Sequence, residues 1–519
     1  MNKVKKLVIK VVSATMAIIM CFCVFACKSP DDEIPQSPND IQLKFWDSGL
    51  GKVGIERVVK EFNNKQSKYK VWLDPFSATS TGAQFGQEDI DTNDIYMIGI
   101  SAGTEKILLD YAEPLDEVLD YTPAGETGKI INKFPSSYLS AVKSKDNHYY
   151  KLSWGGGNYG IAYNTNIIDG VNYPIPKTTK ELEEVAMMLY EARQLDSSAP
   201  AAFMNTEEKG DNWKYVLTTA HAQYDGLEYY NGTFLPLKAD DGTLNSKDVL
   251  LKEDGRKKAL EAYATIITPE YSYNGSLGFS YMDAQTMFIN GKAAMMPNGT
   301  WLLNEMSSNK TNFSMMKVPV ISSIIEKCTT IGDDMELRAL ITAIDGQDEI
   351  ENVALTGAGY DVNETDRETI WDARKLIHAN YDCHAAFIPK YSNAKEGAKE
   401  FLKYFYSDEG MTLYVSSSKN PQVFTLSDGR TFDMTGWTKW QKTAQEMVYG
   451  SDFLFEIHSS LSNIFISGGA KPFANQSIYI TNAFANNNPK DRKNASDVWT
   501  TIRNYHNSVW STYKSNAQL

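Results

Sequence analysis

Cysteine, histidine and positive charge are all in short supply in this 519-residue chain. Three of its five cysteines, Cys21, Cys23 and Cys27, fall within the first 27 residues. Only Cys328 and Cys383 remain for the body, too few for a disulfide-stapled scaffold, and their spacing leaves one bridge or two free thiols open. Six histidines are scattered through the chain; the tightest grouping, His378, Asp382, Cys383 and His384, reads as packing rather than a metal centre. No HExxH and no CxxC occurs, so no metal and no cofactor is expected. GxxxxGK[ST] is absent, which excludes a P-loop. Asp240-Asp241-Gly242 lacks the later ligands of a calcium loop. The formal charge is −14. Setting aside the four lysines of the first 26 residues leaves 47 basic against 65 acidic side chains. Such a body offers no footprint for nucleic acid or an anionic membrane surface. Long apolar runs are missing too. The uncharged run 11–27 has 17 residues, short of the ~20 a spanning helix requires.

What is present begins with an export signal. Lys3, Lys5, Lys6 and Lys10 precede the uncharged run, which ends in Val24-Phe25-Ala26-Cys27. The ending resembles a bacterial lipobox, in which Cys27 becomes the lipidated first residue; a plain signal peptide and an uncleaved anchor are the other readings. Each puts the body outside the cytoplasmic membrane. Residues 28–40 (KSPDDEIPQSPND) are rich in proline and acid, the composition of a solvated tether reaching at most ~45 Å. The expected organisation is signal 1–26, then lipidated Cys27 and tether to residue 40, then a folded body.

The body reads as α/β. Ile41, Leu43 and Phe45 alternate as in a strand; Ile55, Val58, Val59 and Phe62 have helical spacing; Val71 and Leu73 alternate again. Strand, helix, strand is the crossover of a parallel sheet. Residues 94–98 form another buried strand. Thr178 and Glu181 are placed as a capping box. Ala398, Phe401, Leu402 and Phe405 share a helix face, as do Val498, Ile502, Tyr505, Val509 and Tyr513. No repeat appears after residue 40.

Aromatics supply the functional signal. Trp46 ends the first strand, where ligands of open α/β sheets bind. Trp154 stands before three glycines (LSWGGGNYG), whose bare backbone lets a ligand approach. Trp301 follows FINGKAAMMPNGT, read as helix end, glycine stop, short strand, Asn-Gly turn and a new helix. Aromatic rings at such junctions suit the C–H face of a sugar, with neighbouring polar groups fixing its hydroxyls.

The segments KLSWGGGNYGIAYNTNII, MFINGKAAMMPNGTWLL, NDIYMIG…YAEPLDEVL and AKEGAKEFLKYFYSDEGMTLYV together resemble the sugar-binding lipoproteins of ABC importers, the solute-binding family that includes maltose-binding protein. The likeness runs from about residue 40 to 415 and departs from the family pattern at 75–93, where Gly and Ser interrupt an expected helix. The resemblance implies the type II-like periplasmic-binding-protein fold: two α/β lobes, 40–162 plus 318–388 and 163–317 plus 389–519, joined by crossing strands with hinges near 161–164, 317–319 and 387–390. It implies a monomer that closes on a neutral mono- or oligosaccharide, alters no bond in it, and presents it to permease transmembrane subunits while held to the membrane through Cys27. It assigns ligand contacts to Trp46, Asp47, Ser101, Trp154, Gly156, Tyr159 and Trp301, with Trp213 and Phe279 from second-lobe loops. The same fold with a polyamine or peptide ligand, and an exported carbohydrate-active enzyme, are the alternatives; 65 acids always offer carboxylate pairs.

Overall fold

The computed structural model describes residues 37–47, 50–76, 93–206, 212–306, 310–473 and 479–519, the side chains of 103–106 excepted. The signal segment, Cys27, most of the tether and the interrupted stretch 77–92 lie outside the described residues. In chain order the strands are β1 (Asp40–Trp46), β2 (Lys70–Phe76), β3 (Ile95–Gly99), β4 (Leu152–Ser153), β5 (Tyr159–Asn164), β6 (Ala201–Phe203) and β7 (Ala293–Gly299). They continue as β8 (Phe313–Met316), β9 (Thr356–Gly357), β10 (Tyr360–Asp361), β11 (Leu376–Ala379), β12 (His384–Phe387) and β13 (Asp452–Phe455).

Two mixed sheets organise the molecule, in the orders β2-β1-β3-β12-β4 and β6-β7-β5-β8. In the first, β1 lies parallel between β2 and β3, while β12 joins antiparallel to β3 and β4. The alternation in β1 has its expected result: Ile41, Leu43 and Phe45 are sealed, and Lys44 and Trp46 are half-buried. Helix Lys52–Lys65 buries Ile55, Val58, Val59 and Phe62 on one face, as their spacing predicts. Each sheet is covered on both faces. Leu43 and Phe45 face a core with Phe401 and Met411, while Tyr96, Ile98 and Phe387 pack in a separate cluster. Ile161 and Met295 face Trp213 and Val216, while Ala162 and Met296 face Phe288 and Trp440.

Three details differ from the sequence reading. Thr178 Oγ1 accepts from Glu181 N (3.1 Å), but the Glu181 carboxylate takes the N–H of Lys177 rather than that of Thr178. Asn298-Gly299 makes no turn: both residues continue β7, paired to Gly160 and Tyr159 of β5. The stripe from Val498 to Tyr513 is broken at Val509 into helices Ala495–Ser508 and Trp510–Asn516.

The cores also differ from the expected allotment of 318–388 to the first lobe and 389–519 to the second. Helices Lys395–Phe405 and Asp408–Ser418 pack around the first sheet, through Phe401, Phe405, Met411 and Val415. Helices Asp334–Ile344 and Glu364–Lys375 pack with Trp213 and Phe203 around the second, through Leu337, Leu340 and Ile370. An apolar stripe dictates that a helix is buried, not which sheet it covers. The chain passes between the two bodies at 154–158, at 376–383 and repeatedly over 437–462. The first two passages are tied together: Gly157 N donates to Asn380 Oδ1 (2.8 Å), Asn380 N donates to Gly157 O (3.1 Å), and Asn158 bridges Ala379. Residues 161–164 lie inside β5, and 387–390 stay with the first sheet, where Pro389 bridges Ala112. Two of the expected hinges are therefore flanked by passages rather than coinciding with them, and at the third, 317–319, the chain stays with the second sheet, where Val318 packs with Ile161 and Trp213.

Candidate functional site

Aromatic rings from both bodies converge along these passages. On the first-sheet side, half-buried Trp46 stacks on His384, the first residue of β12, with ring centroids 5.6 Å apart and an interplanar angle of 4°. Trp154 meets the same imidazole edge-on at 6.1 Å. Burial lowers the His384 pKa to about 4, so the ring is neutral at pH 7 and its Nδ1–H donates to Asn380 O (2.9 Å). Asp47 follows Trp46; its carboxylate pairs with Lys52 (2.7 Å) and its N–H donates to Phe76 O. Ser101 is exposed, two residues beyond β3.

On the second-sheet side, Tyr159 opens β5 and stacks on Tyr215 with centroids 3.6 Å apart. Trp301 and His378 stand edge-on to Tyr159 at 4.9 and 5.3 Å, and His378 also faces Tyr215 at 4.8 Å. Burial, with Lys214 adding repulsion, lowers the His378 pKa to about 3. Burial raises both tyrosine pKa values well above their usual range, so the phenols stay protonated. Tyr215 Oη donates to exposed Glu456 (3.3 Å), and Lys214 lies over the Tyr215 ring at 4.5 Å, so the seam reaches solvent at these two charges. Trp301 Nε1 donates to Tyr281 Oη (3.1 Å), which donates in turn to Asn298 Oδ1 (2.9 Å).

Polar atoms along the seam lack partners within the protein. His378 Nδ1, Asn158 Oδ1 and Asp382 Oδ1 are buried without a hydrogen bond. Asp382 accepts from Ile457 N through its other oxygen, and burial, partly offset by Lys151, raises its pKa to about 7. Cys383 is buried, half-buried Cys328 is distant in sequence, and both thiols are free.

Of the residues singled out by sequence, the structure brings Tyr159 and Trp301 into ring contact and sets Trp46 and Trp154 around one imidazole. Three placements correct the reading. Trp154 is fully buried, with Nε1 donating to Ile98 O (3.3 Å), so it supports His384 from beneath rather than facing a cleft. Trp213 is likewise interior: Nε1 donates to Asn205 Oδ1 (2.9 Å), and the ring packs on Phe203 and Tyr263. Gly156 is required by close packing and a φ of +146°: a Cβ there would stand 2.6 Å from Tyr381. Phe279 is half-buried, and its ring neighbour is Tyr273. Sequence reasoning missed Tyr215, His378 and His384. Two residues along a helix turn the side chain by ~200°, so in helix Trp213–Asp225 the tryptophan enters the core while Tyr215 reaches the seam.

Residues 57–425 match a family described as bacterial extracellular solute-binding protein. A maltotriose-binding protein of Pyrococcus abyssi is 26% identical over 211 residues, spanning 40% of this chain and 38% of that relative, well under two thirds of its length. Among solved structures, a probable secreted solute-binding lipoprotein from Streptomyces coelicolor superposes with a TM-score of 0.59 at 12% identity, over 92% of this chain and 100% of its own. RafE, known from Streptococcus pneumoniae, superposes in complex with raffinose at 0.53 and 14% identity, over 90% of this chain and 99% of its own. At such identities the structural likeness speaks for the two-lobed α/β fold.

Proposed function

This chain belongs to the bacterial extracellular solute-binding proteins, and from that membership we propose that it captures a neutral mono- or oligosaccharide between its lobes and hands it to the transmembrane subunits of an ABC importer. The observation that carries the reading is the convergence of Trp46, His384, Tyr159, Tyr215 and Trp301 from both bodies on one seam, among buried polar atoms without protein partners. Aromatic faces bury the apolar side of a sugar ring, and unpaired donors and acceptors suit its hydroxyls. The maltotriose and raffinose of the relatives' names belong to the same chemical class. Asp47, the carboxylate that a polyamine would seek, is already matched by Lys52.

We assign the lobes to the bodies around the two sheets, 40–153 with 384–437 and 159–375 with 463–519, and the hinge to the passages between them. Ligand touching both lobes favours the closed form, so binding shifts the population toward closure and lets a permease distinguish loaded from empty receptor. No bond of the ligand changes. Processing at Cys27 would tether a monomeric receptor to the outer face of the cytoplasmic membrane. No helix among the described residues is long and apolar enough to cross one.

Titration calorimetry against a saccharide panel, with chromatography of the same mixtures for products, tests the reading. Saturable binding without turnover is expected. Trp46→Ala and Trp301→Ala should each weaken it at least tenfold, ~1.4 kcal/mol. Turnover, or unchanged affinity in both variants, would overturn it.

A further inference from the structure

Helix Trp213–Asp225 carries Tyr215 to the seam at one end and a second constellation at the other. His221 and Asp225 stand one turn apart on the same helix face. Asp254, the N-cap of helix Gly255–Ala264, comes opposite them. His221 Nε2 is 3.3 Å from Asp225 Oδ2 and 3.9 Å from Asp254 Oδ2, and one ligand atom from each residue lies within 4.8 Å of the other two. His221 is wholly buried; its Nε2 faces Asp225 within hydrogen-bonding reach, and its Nδ1 lacks a partner. Its other neighbours, the rings of Phe234, Tyr230 and Phe473, offer no partner to Nε2 at centroid distances of 4.7, 5.4 and 6.4 Å.

We propose that His221, Asp225 and Asp254 bind one divalent ion of the zinc class. An imidazole nitrogen with two carboxylate oxygens suits a borderline first-row ion better than calcium or magnesium, which favour all-oxygen sites. Bonds of ~2.0–2.1 Å in a tetrahedron set donor atoms about 3.3 Å apart. The His221–Asp225 pair has that spacing, and Asp254 needs to close by a few tenths of an ångström. Two cations already face the two carboxylates, so the ion enters by displacing Lys327 from Asp225 and by sharing Asp254 with Arg256. Arg256 grips Asp254 through Nε (2.8 Å) and Nη2 (2.9 Å), an outer partner that holds the carboxylate in orientation. Gly255 N donates to Asp225 Oδ2 (2.7 Å) and does the same for the second carboxylate. Lys327, 3.5 Å from Asp225 Oδ1, is a half-exposed cation lying over the Tyr224 ring, free to swing aside as the ion enters. Asp225, at 12% side-chain exposure against 3% for Asp254, opens the fourth position to water. The Arg256 guanidinium also lies over Trp499 of helix Ala495–Ser508 at 5.1 Å. The ion would therefore brace the second lobe where the carboxyl-terminal helices dock, away from the saccharide seam.

The full chain, purified in detergent and stripped with a chelator, is titrated with zinc alone by calorimetry; metal content after desalting is read by mass spectrometry. Cobalt(II) serves as a spectroscopic substitute. One equivalent of zinc is expected, with a rise in melting temperature and the intense visible bands of four-coordinate cobalt. Asp225→Asn keeps the side chain's shape at a partly exposed position and should weaken zinc at least tenfold and abolish the thermal shift; His221→Gln should do likewise. Should His221→Gln fail to fold, Asp225→Asn carries the comparison. Absence of stoichiometric zinc in the wild-type chain, or wild-type affinity in Asp225→Asn, would overturn the site.

Discussion

Gly299 and Trp301 show how tightly single residues are coupled along the seam. A Cβ at Gly299 would stand 2.1 Å from the Trp301 ring, so the indole lies flat over a strand position only glycine allows. The ring is then held by its Nε1 bond to Tyr281. Gly299→Ala must push the indole off Tyr159. If that indole holds ligand, Gly299→Ala and Trp301→Ala will weaken saccharide binding by similar factors, and the double variant by little more than either alone. Calorimetry on the three variants measures this; losses that simply add would mean the two residues act separately. Trp154 belongs to another class. Sealed, and bonded to the Ile98 carbonyl, it acts through packing. Trp154→Ala is expected to cost about 3–5 kcal/mol of stability, the usual range for a buried large aromatic, measured by urea unfolding. An unchanged unfolding midpoint with lost affinity would instead restore it as a ligand surface.

At the scale of elements, legibility followed period. Strand β1, helix Lys52–Lys65 and strand β3 were readable because one burial pattern dominates each segment. Asn298-Gly299 looked like a turn because that pair favours one; pairing with β5 and the overlying Trp301 override the preference. The partnership of Asp334–Ile344 and Lys395–Phe405 with one sheet or the other was not readable, since their amphipathic faces are chemically alike. Tryptophans drew attention by rarity, whereas Tyr215, His378 and His384 are ordinary residue types whose meaning arises only where the passages meet. That meeting is fastened by Asn380, which accepts from Gly157 N and donates back to Gly157 O. Asn380→Ala leaves a buried N–H unpaired, at about 1–3 kcal/mol. Reduced stability should accompany faster hydrogen exchange at the Gly157 amide; an unaltered exchange rate would show that the two passages are held together elsewhere.

For the whole molecule, the consequence of so much buried imidazole is sensitivity to acid. Burial lowers the pKa of His378 to about 3, and those of His384, His458 and His506 to about 4. Unfolded histidine titrates near 6.5. Between those limits the unfolded chain binds protons that the folded chain refuses, so the stability these four groups confer is intact above pH 6.5 and is lost as pH falls toward 4. Asp382 opposes them. Its folded pKa of about 7, raised by burial, exceeds the ordinary ~3.9 of an unfolded aspartate, so it favours the folded state below pH 4 and loses that contribution as pH rises to 7. Near pH 5 the four histidines outweigh Asp382, while burial also raises the carboxyls of Glu305, Asp372 and Asp452, which trims the net uptake of protons on unfolding. Urea midpoints at pH 7, 6 and 5 measure this as a falling stability whose slope reports the proton count. Asp382→Asn removes one opposing group and should steepen the acid loss by about one proton, while His384→Gln should shallow it by about one. His378 and His384 lie on the two sides of the seam, so the charging that unfolds the chain is resisted by the same desolvated contacts that join its lobes. A stability that stayed level from pH 7 to 5 would mean that water reaches those rings in solution and that the seam opens more readily than its packing implies.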